Sequence, residues 1–299
     1  MPDYLQRDQA PLSDGQWTIL EQAAVTTAGS MLVGRRFLTL VGPFGPGVEA
    51  VPNDVLAGTP TGQIDLLGDA EPGSIHVERR TFLPLPLLYK DFWIHWRDVD
   101  ANHQLGLPLD TATAAAAASS VAMAEDQLIF NGDQQLNIPG LRTMPGHQKT
   151  PLSDWANSGS GFADTVAAMR LLLDAGFPGP YTLIVSPRLY ADLNRIFDNT
   201  GVLEIEQVQR LIRGGVYPSV VLPEPSAVLV DPGADNMDLA VALDLSLAFL
   251  TTEHLNLKMR VLESLVPRVH RPAAIVAMGG AAESDGGAAG TRRGAQRGA

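Results

Sequence analysis

The sequence predicts an α+β fold, and three observations carry that prediction: an early capped amphipathic helix, one long alanine-rich helix, and strand-like text on both sides of an insert that mixes helices with a strand. Helices and strands are grouped rather than strictly alternating, which argues against a doubly wound parallel sheet. No internal repeat of fixed period is visible.

Ser13 followed three residues later by Gln16 makes a capping box, and Trp17, Leu20, Ala24, Ala28 and Met31 recur at steps of three and four. Gly34 stops this first helix, two arginines follow, and residues 37–41 read as a strand closed by Gly42-Pro43. From Gly45 to about Gly73 the text is rich in Gly and Pro with short apolar alternations, as in an extended arm or long β-hairpin that makes no core alone. Residues 75–96 alternate again, interrupted by Pro84 and Pro86, which confine them to edge pairing or irregular extension.

Asp110 is the expected N-cap of a helix running to about Phe130, driven by alanine propensity and stopped by Gly132. A second helix is expected over 162–175, ended by Gly176, then a buried strand over 181–185. Pro187 opens another helix at its favoured first position, and 204–213 is helical up to Gly214-Gly215. Residues 227–278 form a series of short β-rich runs. From Gly279 onward 13 of 21 residues are Gly or Ala with no aromatic or long aliphatic side chain, so this tail is expected to be disordered.

Composition narrows the function classes. With 299 residues, 45% of them apolar and only 18% charged, the chain has the makings of a packed core. A net charge of −12 argues against a surface that wraps nucleic acid. The absence of cysteine removes disulfides, thiol nucleophiles and cysteine-based metal sites. No signal-like start and no apolar run of about 18 residues is visible, so a cytoplasmic protein without a membrane partner is expected.

A search for chemistry returns little. No two of the six histidines stand at i, i+4, and no serine lies in G-x-S-x-G. The cluster Gly42-Pro43-Phe44-Gly45-Pro46-Gly47 continues as Val48-Glu49 rather than Lys-Ser/Thr, so it is turn chemistry and not a phosphate loop. Asp98, Asp100 and Asn102 imitate the start of a calcium loop, but His103 replaces the glycine and Leu109 the bidentate acid. Trp93 and Trp96 are candidates for stacking a planar flavin-type cofactor, although aromatics three apart more often anchor a core or an interface. Neither a metal nor a resident cofactor is expected, nor an enzyme.

Six segments, in order, resemble the encapsulins, nanocompartment shell proteins that share the major capsid fold of tailed bacteriophages (the Hong Kong 97 type). They are QAPLSDGQW from Gln9, LVGRRFLTLVGPFG from Leu32, EDQLIFNGD from Glu125, GPYTLIVSPRLY from Gly179, LIRGGV from Leu211 and LAVALDLSLAFL from Leu239. The resemblance implies an amino-terminal helix and strand in 1–44, an E-loop in 45–90, a peripheral domain with the spine helix in 91–138 and 232–278, and an axial domain in 139–231. Residues 279–299 have no counterpart.

The function implied is a non-catalytic subunit that assembles with itself into an icosahedral shell. That shell would enclose a ferritin-like or peroxidase cargo carrying a carboxyl-terminal targeting peptide, for iron storage or oxidative-stress defence. The alternative is a phage or prophage capsid protein enclosing DNA, which carries a segment ahead of the fold where this chain starts a capped helix at Ser13. By resemblance the cargo peptide lies against Ala28, Met31, Leu32, Arg35, Leu38 and Leu40 on one side and Asp244, Leu245, Leu247 and Phe249 on the other. The five-fold opening would be lined by Asp198, Asn199, Thr200, Gly201 and Glu204. As alternatives, alternating Leu245, Leu247 and Phe249 also suit an ordinary half-buried strand, and the pore acids also suit a solvated loop.

Overall fold

The structure is a computed structural model that describes residues 4–58, 62, 64, 66, 73–198 and 201–279. Asn199, Thr200 and the tail beyond Gly279 lie outside the described residues.

Helix α1 (Asp14–Met31) starts with the expected reciprocal cap: Ser13 Oγ accepts from the Gln16 amide at 3.3 Å and Gln16 Oε1 accepts from the Ser13 amide at 2.9 Å. Its apolar stripe is buried, with Trp17, Leu20, Ala24 and Ala28 all within 2% exposure. The helix ends at Met31 and a short 3-10 turn over Gly34–Arg36 follows, so β1 is only Thr39–Val41. Gly34 does more than stop a helix, because a Cβ there would stand 2.4 Å from Ile129 Cδ1.

β2 (Ala50–Ala57) and β3 (His76–Pro84) pair antiparallel as a separate two-stranded arm, in the register Ala50 to Pro84 through Ala57 to His76. The arm takes only its first strand from the Gly/Pro-rich stretch and its second from the alternating residues 75–96, and it leaves Val77 and Phe82 exposed. β4 (Leu87–Ile94) then leads into α2 (Trp96–Leu105), a helix the hydrophobic pattern does not predict because none of its residues is buried. Its marks are local: His95 caps the Arg97 amide through its side chain, and Gly106 closes it in the left-handed conformation. The long helix α3 (Ala112–Asn131) follows, with Thr111 rather than Asp110 at the cap position, although Asp110 Oδ1 accepts from the Ala112 amide at 2.9 Å.

The short strands β5 (Gly132–Asp133), β6 (Ile138–Pro139) and β7 (Gln148–Thr150) enter the insert. It continues with α4 (Ser160–Asp174), β8 (Thr182–Val185), α5 (Pro187–Leu193), α6 (Glu204–Leu211), β9 (Val216–Pro218) and β10 (Ser226–Val230). The last stretch is two long strands, β11 (Met237–Glu253) and β12 (Asn256–Val269), and the short β13 (Ile275–Gly279).

Two sheets organise these elements. One has the order β1-β11-β12-β4, with β1 parallel to β11 and the others antiparallel; the second runs β7-β13-β10-β8-β9. β13 therefore belongs with the insert, between β10 and β7, and not with the 232–278 half of the peripheral unit to which the sequence reading assigned it. Valine, isoleucine and methionine fill it, and a strand buried on both faces needs partners on both edges. One core lies under the insert and around β10, β13 and the start of β11; the other joins α1, α3 and β4 to the far halves of β11 and β12.

Candidate functional site

The two cores meet where the chain leaves α1, and charge converges there. Arg35 comes from the 3-10 turn, Glu125 from α3, Glu263 from β12 and Asp244 from β11. β11 is bulged at that point: two residues, Asp244 and Leu245, stand between the paired Leu243 and Ser246, where the partner strand has only Glu263 between Ser264 and Leu262. The bulge turns the Asp244 carboxylate toward the guanidinium.

Arg35 serves all three acids. Its Nε donates to Glu125 at 2.9 and 3.0 Å, Nη2 to Glu263 at 2.8 Å and Nη1 to Asp244 at 2.6 Å. The Glu125 and Glu263 side chains are 0% and 1% exposed, whereas Asp244 is 65% exposed. Burial pushes the Glu263 carboxyl up to about 9, with the adjacent Glu125 charge adding to the effect, and burial also raises Glu125 against the pull of Arg35. Near neutral pH this pair therefore holds a proton, and the cluster carries about one net negative charge. Partial burial pushes Asp244 up, but the hydrogen bond and charge of Arg35, with the Leu245 amide, together outweigh it and keep the carboxyl below the usual carboxylate range.

One residue after Glu125 on α3, Asp126 is occupied differently. Its carboxylate accepts the amides of Val33 at 3.0 Å and Gly34 at 2.9 Å, and burial raises it to about 6 against those two bonds. Glu125 and Asp126 thus rivet the turn after α1 to the long helix. The sequence signal for them was a pair of acids inside an apolar helix, flanked by Val121, Ala122, Leu128 and Ile129.

The ten residues expected to hold a peptide do not form one open groove. Ala28, Leu32, Leu247 and Phe249 are 1–7% exposed and pack together beneath α1, and Leu38 is buried in the other core. These five are core in the single chain, as a half-buried strand on an amphipathic helix requires. Arg35 and Asp244 hold each other rather than standing apart to receive the ends of a ligand. Met31 and Leu245 are partly buried against the second core, with Ser119 Oγ donating to Met31 Sδ at 2.6 Å, and Leu40, on β1 opposite Leu239, is 48% exposed.

The pore residues separate as well. Phe197 and Val202 close a hairpin by a 2.8 Å backbone bond, beside an isolated bridge from Ile196 to Leu203, and Asp198 is exposed with a φ of 37°. Gly201 is exposed in the left-handed conformation, which its lack of a Cβ allows. Glu204 differs, being 3% exposed with its carboxylate accepting the Gly159 amide at 3.1 Å and the Phe162 amide at 2.8 Å. It supplies the acceptor that Gly159, the cap residue of α4, lacks, so it is a structural clamp and not a lining acid. Trp93 is 42% exposed on β4 with Lys258 Nζ 5.7 Å from its ring, and Trp96, 38% exposed, opens α2 with Arg97 5.5 Å from its ring.

Among the described residues no group of three or more metal-binding side chains converges and no helix is long and apolar enough to cross a membrane.

Comparison with known proteins fits this architecture. The family model described as "Encapsulating protein for peroxidase" matches residues 2–266. The type 1 encapsulin shell protein EncA of Myxococcus xanthus is 42% identical over 285 residues, covering 95% of this chain and 99% of that protein. A diheme-cytochrome-encapsulin shell fusion protein of Kuenenia stuttgartiensis is 40% identical over 87% of this chain and 71% of its own length. In structure, the virus-like particle from Pyrococcus furiosus superposes with a TM-score of 0.71 at 20% identity, covering 88% of this chain and 99% of that one. The capsid of the Myoviridae phage XM1 follows with a TM-score of 0.58 at 13% identity over 81% and 90%. The fold is thus that of the phage capsids, and the family model and sequence identity narrow it: this chain belongs to the encapsulin shell-protein family.

Proposed function

We propose that the chain is a structural subunit that assembles with itself into a closed icosahedral shell around a cargo protein. The observation that carries this reading is the end-to-end identity with a type 1 shell protein, and the β2–β3 arm gives it a physical basis. A two-stranded arm with Ile75, Val77 and Phe82 exposed has no core of its own, and burying it against a second copy removes apolar surface from water. Light scattering and negative-stain images of the purified chain test it: uniform closed particles are expected, and a monodisperse folded species of about 32 kDa overturns it.

Cargo would dock on the face around Met31, Leu40 and Leu245, next to the charged cluster. The flexible Met31 thioether and the Leu245 and Leu40 side chains offer adaptable apolar contacts to an extended peptide, and the exposed Asp244 carboxylate favours a peptide with a basic end. The family description, an encapsulating protein for peroxidase, supports a peroxidase cargo, and the reading extends to a ferritin-like cargo, a carboxyl-terminal targeting peptide and a cytoplasmic compartment for iron storage or defence against oxidants. Asp198, repeated around a symmetry axis, would concentrate cations at an opening in the shell. The identity with a shell protein favours this reading over a capsid enclosing DNA, whose structural relatives share the fold alone.

A further inference from the structure

The base of the arm is fastened to the main sheet at one histidine. His270 follows β12 and faces two elements at once: its Nδ1 lies 3.1 Å from the Asp54 carbonyl on β2, and its Nε2 lies 3.2 Å from Asp238 Oδ2 on β11. Arg268 on β12 holds the same Asp238 carboxylate through two bonds of 2.7 Å. The remaining charged neighbours are the Asp54 carboxylate, which is paired with Arg80 at 2.6 and 2.7 Å, and Arg271, whose Nη1 donates to Asn236 Oδ1. The His270, Asp238 and Arg268 side chains are only 18%, 7% and 14% exposed.

We propose that His270 is a proton-operated latch that fixes the angle of the β2–β3 arm against the β11–β12 sheet. The chemistry follows from the inventory of the ring. Protonated imidazole donates from both nitrogens and satisfies both oxygens, whereas neutral imidazole has one N–H, so one of the two oxygens must face a lone pair. The surroundings decide which bond is lost. Asp238 stays ionised because the His270 and Arg268 hydrogen bonds outweigh its burial, and a charge-assisted bond is roughly twice as strong as one to a neutral carbonyl. Neutral His270 therefore keeps its N–H on Asp238 and releases the Asp54 carbonyl, which is the arm's side of the contact.

Two other bonds between arm and sheet do not titrate. The Leu56 amide donates to the His270 carbonyl at 3.0 Å and Arg268 Nη1 to the Pro52 carbonyl at 3.3 Å. They act as the pivot about which the released arm moves. The Asp238 contact raises His270 above the ordinary histidine value against its partial burial, so the latch is closed at and below pH 6.5 and opens as pH rises through the raised value.

Deuterium exchange read by mass spectrometry on intact shells tests this from pH 6 to pH 9. Two quantities are followed: amide protection of the peptide spanning 50–57, corrected for intrinsic rates against the buried strand at 226–230, and exchange at the imidazole carbon of His270. Protection of 50–57 is expected to fall on the order of five-fold, the worth of one hydrogen bond, with its midpoint on the His270 titration and above 6.5. In His270→Gln shells protection is expected to be independent of pH. Protection that does not change in the wild type, a midpoint that departs from that of His270, or the same pH dependence in His270→Gln overturns the latch. Should the variant not assemble, the coincidence of the two wild-type midpoints decides alone.

Discussion

The Glu204 carboxylate accepts the Phe162 amide at 2.8 Å, so the first residue of one helix caps the first turn of another. That bond ties the hairpin carrying Asp198 to α4, and the Phe162 and Phe197 rings, 6.2 Å apart, pack beside it. Two acids close in sequence thereby acquire opposite roles, one buried as a clamp and one left in solvent.

Glu204→Ala is expected to destabilise the subunit by about 1–2 kcal/mol, the usual cost of a lost helix cap, and to lower the thermal midpoint of the shell. Asp198→Lys is expected to leave that midpoint unchanged while slowing metal-ion uptake into loaded shells in a salt-sensitive way. Uptake equal to that of the wild type at low salt would exclude Asp198 from the path.

Removing the Arg35 guanidinium strands two buried carboxyls. Arg35→Met is expected to cost about 3–5 kcal/mol, as breaking one side of a buried ion pair does, and to reduce assembled particles in size-exclusion profiles. Combining it with Glu125→Gln and Glu263→Gln should restore most of the loss, because amides need no counter-charge. A triple variant no better than the single one would show that Arg35 acts through packing alone.

Alkaline pH should loosen the same junction. Burial holds Glu263 protonated in the folded chain up to about 9, whereas the unfolded chain releases that proton near the ordinary carboxyl value. Between those values the native state binds more protons, so stability falls as pH rises and levels off above about 9. Thermal scans between pH 6 and 10 should show a falling midpoint for the wild type and a flatter profile for Glu263→Gln.

Substitutions at the cargo face should sort by burial. Met31→Asp with Leu245→Asp adds charge to partly buried positions and is expected to give intact shells that fail to load a cargo carrying its targeting extension. Leu247→Asp places a carboxylate at a site 1% exposed and is expected to prevent folding, at several kcal/mol. Normal loading in the Met31/Leu245 double variant, measured by co-purification, would move the cargo site elsewhere.

Local signals in the sequence were reliable where one residue type decides the geometry. Ser13 with Gln16, Gly132 after the alanine-rich helix and Pro187 at a first helical position all stand where expected. What the sequence hid was long-range. Helix α2 buries nothing, so it has no apolar stripe to read, and β13 reads as part of the final β region until its partners β7 and β10 are known. The expectation of a peptide site rests on family resemblance, which carries no burial information, so it groups the buried Leu247 and Phe249 with Met31. Glu204 reads as a loop acid because its partners, Gly159 and Phe162, lie more than 40 residues away.

The parallel pairing of Thr39–Val41 with Asp238–Ala240 has a consequence for biosynthesis. β1 leaves the ribosome about 200 residues before the strand it must pair with, an interval of roughly 10–40 s at ordinary elongation rates. During that time the Arg35 turn has no Glu263 and no Asp244 to bind, and the second core lacks β11 and β12. Nascent chains on one messenger therefore cannot present a finished subunit surface to one another until synthesis is nearly complete, and premature association is held back by the order in which the strands are made.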